Sequence, residues 1–429
     1  MQDRLYAELY DYIIDFLHDD HGALRACSLV CRSWLPASRS HLFYHLALDC
    51  RVPRRIFAAI CSSPHLASYV NKLSVQDSYR RSWISEDILF LILLEKLTYL
   101  RELEFNLPTP DPLNAKMVWS TFAFKDICNA MSSMTLQSFT LRQFTFSSPH
   151  DFLKIVSTCR QVHTLQLDGV DISTPTHLSV STLEDLLNIL PTNTHDEPTK
   201  KQAKIKGLLM RSASLAIIIP ILLHPRSPLS FSTTTFLTTN MSMDNYDNMI
   251  EFLGRFPSLE SLDLEIEPSC EFLTLIHPVL ITHTDSVDYE AHVGQANTID
   301  FKLLSTLKSL SLQVSALVAR TDPLPWLLAC LASAAPDNAL EEFSLTCVID
   351  KPPPSLTLQA FDNVLMGWRS LDQLLTQPLF GHLQRFRLDF ALDNPIGDDS
   401  PHQIADEFTK QLQGLRGKGV LEVDVCEVR

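Results

Sequence analysis

Two apolar patterns of different period divide the chain. Near the start, Leu9, Ile13, Ile14 and Leu17 recur at helical spacing after polar Asp3 and Arg4. Asp19, Asp20, His21 and Gly22 break that run. A denser set follows at Leu24, Cys27, Leu29, Val30, Cys31, Trp34 and Leu35, too dense for one amphipathic stripe. It predicts two short helices meeting near Cys27 and Ser28, with Ser28 as an N-cap and Pro36 near the end of the last helix. Three short helices over residues 1–48 enclose a very small core, so the module is expected to need a neighbour over its remaining apolar faces.

From about residue 65 a short motif recurs with apolar residues at its first, fourth and sixth positions. Copies stand at Val70, Leu73, Val75; Leu100, Leu103, Phe105; Leu136, Phe139, Leu141; and Val162, Leu165, Leu167. More follow at Leu259, Leu262, Leu264; Leu307, Leu310, Leu312; Leu340, Phe343, Leu345; and Leu383, Phe386, Leu388, with a weaker copy at Ile205, Leu208, Met210. The fourth and sixth positions alternate as a strand requires, and the first belongs to the turn feeding it.

Helical patterns lie between the motifs: Glu86–Lys96 with Ser85 as N-cap, Asp151–Thr158, Thr182–Leu190, Tyr246–Arg255, Trp326–Ala332 and Ala360–Leu375. Each unit reads as helix, turn, strand. One such unit cannot bury its own apolar faces, so stacked neighbours must share a continuous core. Steps between the strongest motifs run from 26 residues (Phe139 to Leu165) to 48 (Leu262 to Leu310), which implies irregular repeats carrying insertions. Loops are expected at Leu107–Asn114, Thr192–Thr199, His283–Ala296 and Lys351–Ser355; residues 213–240 take no assignment. The expected fold is α/β: a three-helix module over 1–48, then an irregular solenoid with a curved parallel sheet over 49–429.

Composition narrows the function. The chain has 429 residues, 45% of them apolar, and a formal net charge of −15. That balance disfavours nucleic acid as a partner, because binding the phosphate backbone needs concentrated Lys and Arg. The one basic run, Lys200, Lys201, Lys204 and Lys206, follows a polar stretch and reads as a solvated loop. With only 11 glycines the chain holds no phosphate-cradling glycine pattern. Acidic residues among the first fifteen interrupt any signal-peptide core. The greasy stretches Ile88–Leu94 and Leu215–Leu223, the second broken by Pro220, are too short for a bilayer. No membrane association and a cytoplasmic or nuclear location are therefore expected. Ten cysteines without a CxxC pair read as small buried apolar residues. Cys27 and Cys31 are four apart near His18 and His21, but they lack a second ligand pair, so two core thiols is the expected reading and no metal site is assigned. No GxSxG or HExxH pattern occurs, and the fifteen histidines scatter through loop-like sequence. The expectation is a chain with no catalytic site and no cofactor.

The segment from Leu5 to Pro36 resembles the F-box, through Glu8-Leu9, Ile13-Ile14, Leu17, Leu24, the run Cys27-Ser28-Leu29-Val30-Cys31, Arg32 and Trp34. Ser62–Leu73 is similar to the lead into the first repeat of fungal F-box proteins with divergent leucine-rich repeats, which the whole chain resembles. One departure is the start: Leu5-Tyr6-Ala7 stands where the family commonly has Leu-Pro, a residue that helps fix the start of the first helix. The resemblance implies an F-box that docks a Skp-type adaptor of a cullin-RING ubiquitin ligase, and a repeat body that binds a target protein of unknown identity. Carried over by position, Leu5, Leu9, Ile13, Leu24, Leu29 and Val30 are the expected partner contacts. Ile14, Leu17, Cys27, Cys31 and Trp34 are the expected core. The alternative is a repeat-based interaction scaffold whose F-box no longer engages the ligase.

Overall fold

The computed structural model describes residues 7–49, 54–77, 83–86, 88–107, 121–172, 202–224, 227–242, 245–266, 298–317, 324–350, 358–392, 406 and 408–427. They belong to two compact units. One comprises Met1–Ile205 with Ser212–Ser230, and the other Lys206–Arg211 with Phe231–Arg429. Both are α/β with parallel sheet.

The first unit opens with three helices: α1 (Ala7–Phe16), α2 (His21–Val30) and α3 (Leu35–Tyr44). The helix break differs from the expected one. α2 runs unbroken through Cys27 and Ser28, whose hydroxyl donates back to the Arg25 carbonyl at 2.7 Å. Asp20 is the N-cap, its carboxylate accepting from the Ala23 N–H at 2.9 Å. The chain turns at residues 31–34 instead, and Pro36 lies in the first turn of α3, where its missing N–H costs nothing.

The three helices lead directly into the sheet of the first unit. After α3 the chain enters strand β1 (His45–Leu48), which pairs parallel with β2 (Lys72–Gln76). The sheet continues through β3 (Glu102–Asn106), β4 (Ser138–Arg142) and β6 (Thr164–Asp168), all parallel. Two-residue strands β5 (Thr145–Phe146) and β7 (Asp171–Ile172) pair beside it, as do β8 (Ala203–Lys204) and β10 (Leu229–Ser230). Helices α4 (Arg54–Ser62), α5 (Pro64–Ala67), α6 (Trp83–Glu86), α7 (Ile88–Lys96), α8 (Thr121–Ser132) and α9 (Pro149–Thr158) separate the strands. Residues 213–240 supply α10 (Leu215–Leu223) and β10 to this unit.

The second unit pairs β9 (Gly207–Arg211), β11 (Phe236–Met241), β12 (Ser261–Ile266), β13 (Ser309–Leu317), β14 (Glu342–Asp350), β15 (Arg385–Leu392) and β16 (Leu421–Glu427) in that order, all parallel. Between them stand α11 (Tyr246–Leu253), α12 (Leu324–Ala332), α13 (Leu358–Leu375) and α14 (Gln413–Gly417). The expected helix Thr182–Leu190 and the loops at Thr192–Thr199, His283–Ala296 and Lys351–Ser355 lie outside the described residues, as does the loop after Leu107.

The recurring motif sets the register. Leu73 pairs with Leu103, Leu103 with Phe139 and Phe139 with Leu165, fourth position against fourth at every step. Sixth positions align likewise, and in the second unit Leu262, Leu310, Phe343 and Phe386 continue the rule. All these side chains are buried. A one-residue slip would turn every one of them to the other face, so the motif fixes the pairing. The turns before β3, β4, β6, β12, β13, β14 and β15 repeat one hydrogen-bond device. The Asn71 carbonyl accepts from both Arg101 N–H (2.8 Å) and Glu102 N–H (2.9 Å), and Arg101, Gln137, Thr235, Glu260, Lys308 and Glu341 each serve the next strand in the same way. β11 carries a copy with threonine in place of two apolar residues: Thr234, Leu237 and Thr239 are all fully buried.

Candidate functional site

The first helix is apolar on two sides. Its inner side is Tyr10, Ile14 and Leu17: Ile14 is fully buried, and the Tyr10 ring lies 5.6 Å from that of Trp34. Its outer side is Leu9, Tyr12, Ile13 and Phe16, at the i, i+3, i+4, i+7 spacing of one helical stripe, with exposures of 45%, 69%, 42% and 81%. An ordinary surface helix has a single apolar stripe facing the core, so a second one facing water needs a reason. On α2, Leu24 and Cys27 face inward, while Leu29 and Val30 stand 86% and 62% exposed. Half of the exposed large apolar residues among the described ones fall between Leu9 and Val30.

α1 is held in place by more than packing. Asp15 on its outer flank meets His41 Nε2 of α3 at 2.7 Å, and His18 Nδ1 lies 2.9 Å from the Asp15 carbonyl. With the Tyr10–Trp34 contact, this fixes the angle at which the outer stripe is presented.

Of the residues expected at a partner surface, Leu9, Ile13, Leu29 and Val30 are exposed, and Leu5 lies outside the described residues. Leu24 is a correction: it is fully buried, because it follows the Asp20 cap on the side of α2 that also carries Cys27. Of the expected core residues, Ile14 and Cys27 are buried and Leu17 and Trp34 half-buried. Cys31 is a second correction. It sits one residue past α2 in extended backbone (φ −161°), which turns it out to solvent. Its Sγ lies 2.9 Å from the Ser33 hydroxyl, and that hydrogen bond, followed by one from the Trp34 backbone, holds the thiol below its ordinary range. Buried Cys128, Cys159 and Cys330 show the opposite effect, each pushed up to about 12 by burial. Since Cys27 faces inward and Cys31 outward, the pair presents no common ligand face. Among the described residues no group of three or more His, Cys, Asp or Glu could hold a metal ion. No helix among them is long and apolar enough to cross a membrane.

Sequence reasoning missed Tyr12 and Phe16. The signal was present: they complete the stripe begun by Leu9 and Ile13, out of phase with Tyr10, Ile14 and Leu17.

A second polar cluster crosses the sheet of the first unit. His45 Nε2 is 2.9 Å from the Ser74 hydroxyl, Ser74 donates to Glu104 at 3.1 Å, and Arg142 Nε meets the other Glu104 oxygen at 3.0 Å. Lys72 and Glu102 pair beside it at 3.4 Å. Partial burial lowers the His45 pKa, and nearby Lys72 lowers it further. The row works as a ladder tying β1, the strand that follows the helical module, to β2, β3 and β4.

No protein-family model matches the chain, and no curated protein matches it.

Proposed function

We propose that the chain is the substrate-recognition adaptor of a cullin-RING ubiquitin ligase of the Skp–cullin–F-box type. The three N-terminal helices act as a divergent F-box, and the parallel sheet with its helices acts as an irregular leucine-rich-repeat body that binds the target. The observation that carries the reading is the second apolar stripe on α1, where Leu9, Tyr12, Ile13 and Phe16 face solvent on a helix already anchored by Ile14. Such a surface fits a protein partner, because apolar anchors of this kind contribute only when a partner removes them from water. Leu29 and Val30 add a second exposed apolar site on α2. The in-register motif copies support the repeat reading of the body, since identical stacked positions are the signature of repeat packing.

The test is co-purification of the full chain with a Skp-type adaptor. The wild-type chain should retain the adaptor, and Leu9→Asp with Ile13→Asp should abolish retention without unfolding the chain, because both residues lie on the solvent-facing side of α1 and neither belongs to the buried core. Retention by the double variant sinks the surface assignment. Failure of the wild-type chain to retain the adaptor leaves a repeat scaffold that does not engage the ligase.

A further inference from the structure

In the second unit, β16 pairs with β15 on one side, and among the described residues no strand pairs with its other edge. The ladder shows which backbone groups face that edge. Phe386 N–H donates to the Val420 carbonyl at 2.7 Å, and Arg387 is in register with Glu422. In a parallel pair this directs the backbone of residues 420, 422 and 424 toward β15 and that of 421, 423 and 425 to the open edge.

The side chains of β16 carry two further signs. Leu421 and Val423 stand in register with Phe386 and Leu388, which are fully buried, yet they are themselves only half-buried. On the opposite face, charge alternates strand by strand. Glu342 of β14 meets Arg385 of β15 at 3.0 Å, and Arg385 meets Glu422 of β16 at 3.5 Å. Arg387 of β15 pairs with Asp389 at 2.9 Å and with Asp424 of β16 at 3.8 Å. The sequence across the sheet is acid, base, acid, and then the edge.

We propose that β16 is a docking edge for an extended partner segment in which basic and apolar residues alternate, added to the sheet as a further strand. Its Lys or Arg side chains, two apart, continue the alternation against Glu422 and Asp424. Its apolar side chains cover Leu421 and Val423, and its backbone pairs with the groups of residues 421, 423 and 425. A second copy of β16 fits badly, because it brings Glu422 and Asp424 up against their own carboxylates. This inference concerns a different unit from the adaptor-docking helices and stands or falls without them.

The probe is a labelled ten-residue peptide of alternating lysine and valine, with a counterpart carrying glutamate in place of lysine, titrated against the full chain by fluorescence anisotropy. The lysine peptide should bind about tenfold tighter than the glutamate one, the effect of two favourable cross-strand charge pairs. Glu422→Lys with Asp424→Lys should reverse the preference. Val423→Pro removes an N–H that makes no bond to β15, so it should leave the circular dichroism spectrum unchanged and abolish peptide binding. Equal affinity for the two peptides, an unreversed preference, or binding insensitive to Val423→Pro would each overturn the proposal. A concentration-dependent dimer lost in Val423→Pro would overturn it too, by giving the edge to a second copy.

Discussion

Replacing Phe105 by alanine removes the centre of the first unit's aromatic row. Phe105 is fully buried at the sixth position of its motif, and its ring stands edge-on to Phe90 at 6.4 Å and to Phe139 at 6.3 Å. Phe90 in turn meets Trp83 at 5.6 Å, so the row ties α6 and α7 to the sheet. A buried Phe→Ala change costs about 3–5 kcal/mol through lost transfer energy and the cavity left behind. The two edge-to-face contacts, each about 0.5–1.5 kcal/mol beyond burial, place the loss in the upper part of that range. Backbone amides of β2, β3 and β4 that exchange only by unfolding should then exchange roughly a thousandfold faster in native-state hydrogen exchange, the equivalent of about 4 kcal/mol. The same change at Phe16, which is 81% exposed, should alter exchange by no more than about 0.5 kcal/mol. A loss below about 1 kcal/mol at Phe105, or a comparable loss at Phe16, would refute the assignment of inner and outer apolar residues.

Three further outcomes follow from named contacts. Leu24→Asp should unfold the helical module, while Leu29→Asp leaves its helicity intact, a contrast readable by circular dichroism and proteolysis. Gly169→Ala should lower the melting temperature by an amount equivalent to about 1–2 kcal/mol, because Gly169 has φ +63° and an added Cβ would run into the Gln143 side chain. His45 should titrate below its ordinary 6.5 when followed by NMR, so its contribution to stability is complete above that pH and falls as pH drops through the window beneath it. His45→Asn should flatten that part of the profile.

The strand positions were legible because the motif carries its own register: apolar residues two apart, repeated in the same phase, can satisfy every neighbour at once. The copy at Thr234, Leu237 and Thr239 escaped notice because threonine fills two of its buried positions. A hydropathy pattern cannot distinguish such threonines from surface ones. The apolar density of residues 24–35 was legible, but its division was not. Asp20 rather than Ser28 caps α2, and only the path of the chain past Val30 decides that Cys31 turns outward. Leu24 and Leu29 look alike in sequence, yet they lie on opposite sides of one helix, which a spacing of five residues permits. The outer stripe of α1 was half read: Leu9 and Ile13 stood out as aliphatic, while the two aromatic residues completing it did not.

On the proposed function, the outer faces of α1 and α2 are a docking surface. Hydrogen exchange of the full chain, compared with and without a saturating Skp-type adaptor, tests it most directly. Exchange should slow within residues 7–30 and stay unchanged in β12–β15. Unchanged exchange in residues 7–30 with the adaptor bound elsewhere, or no binding at all, would contradict it.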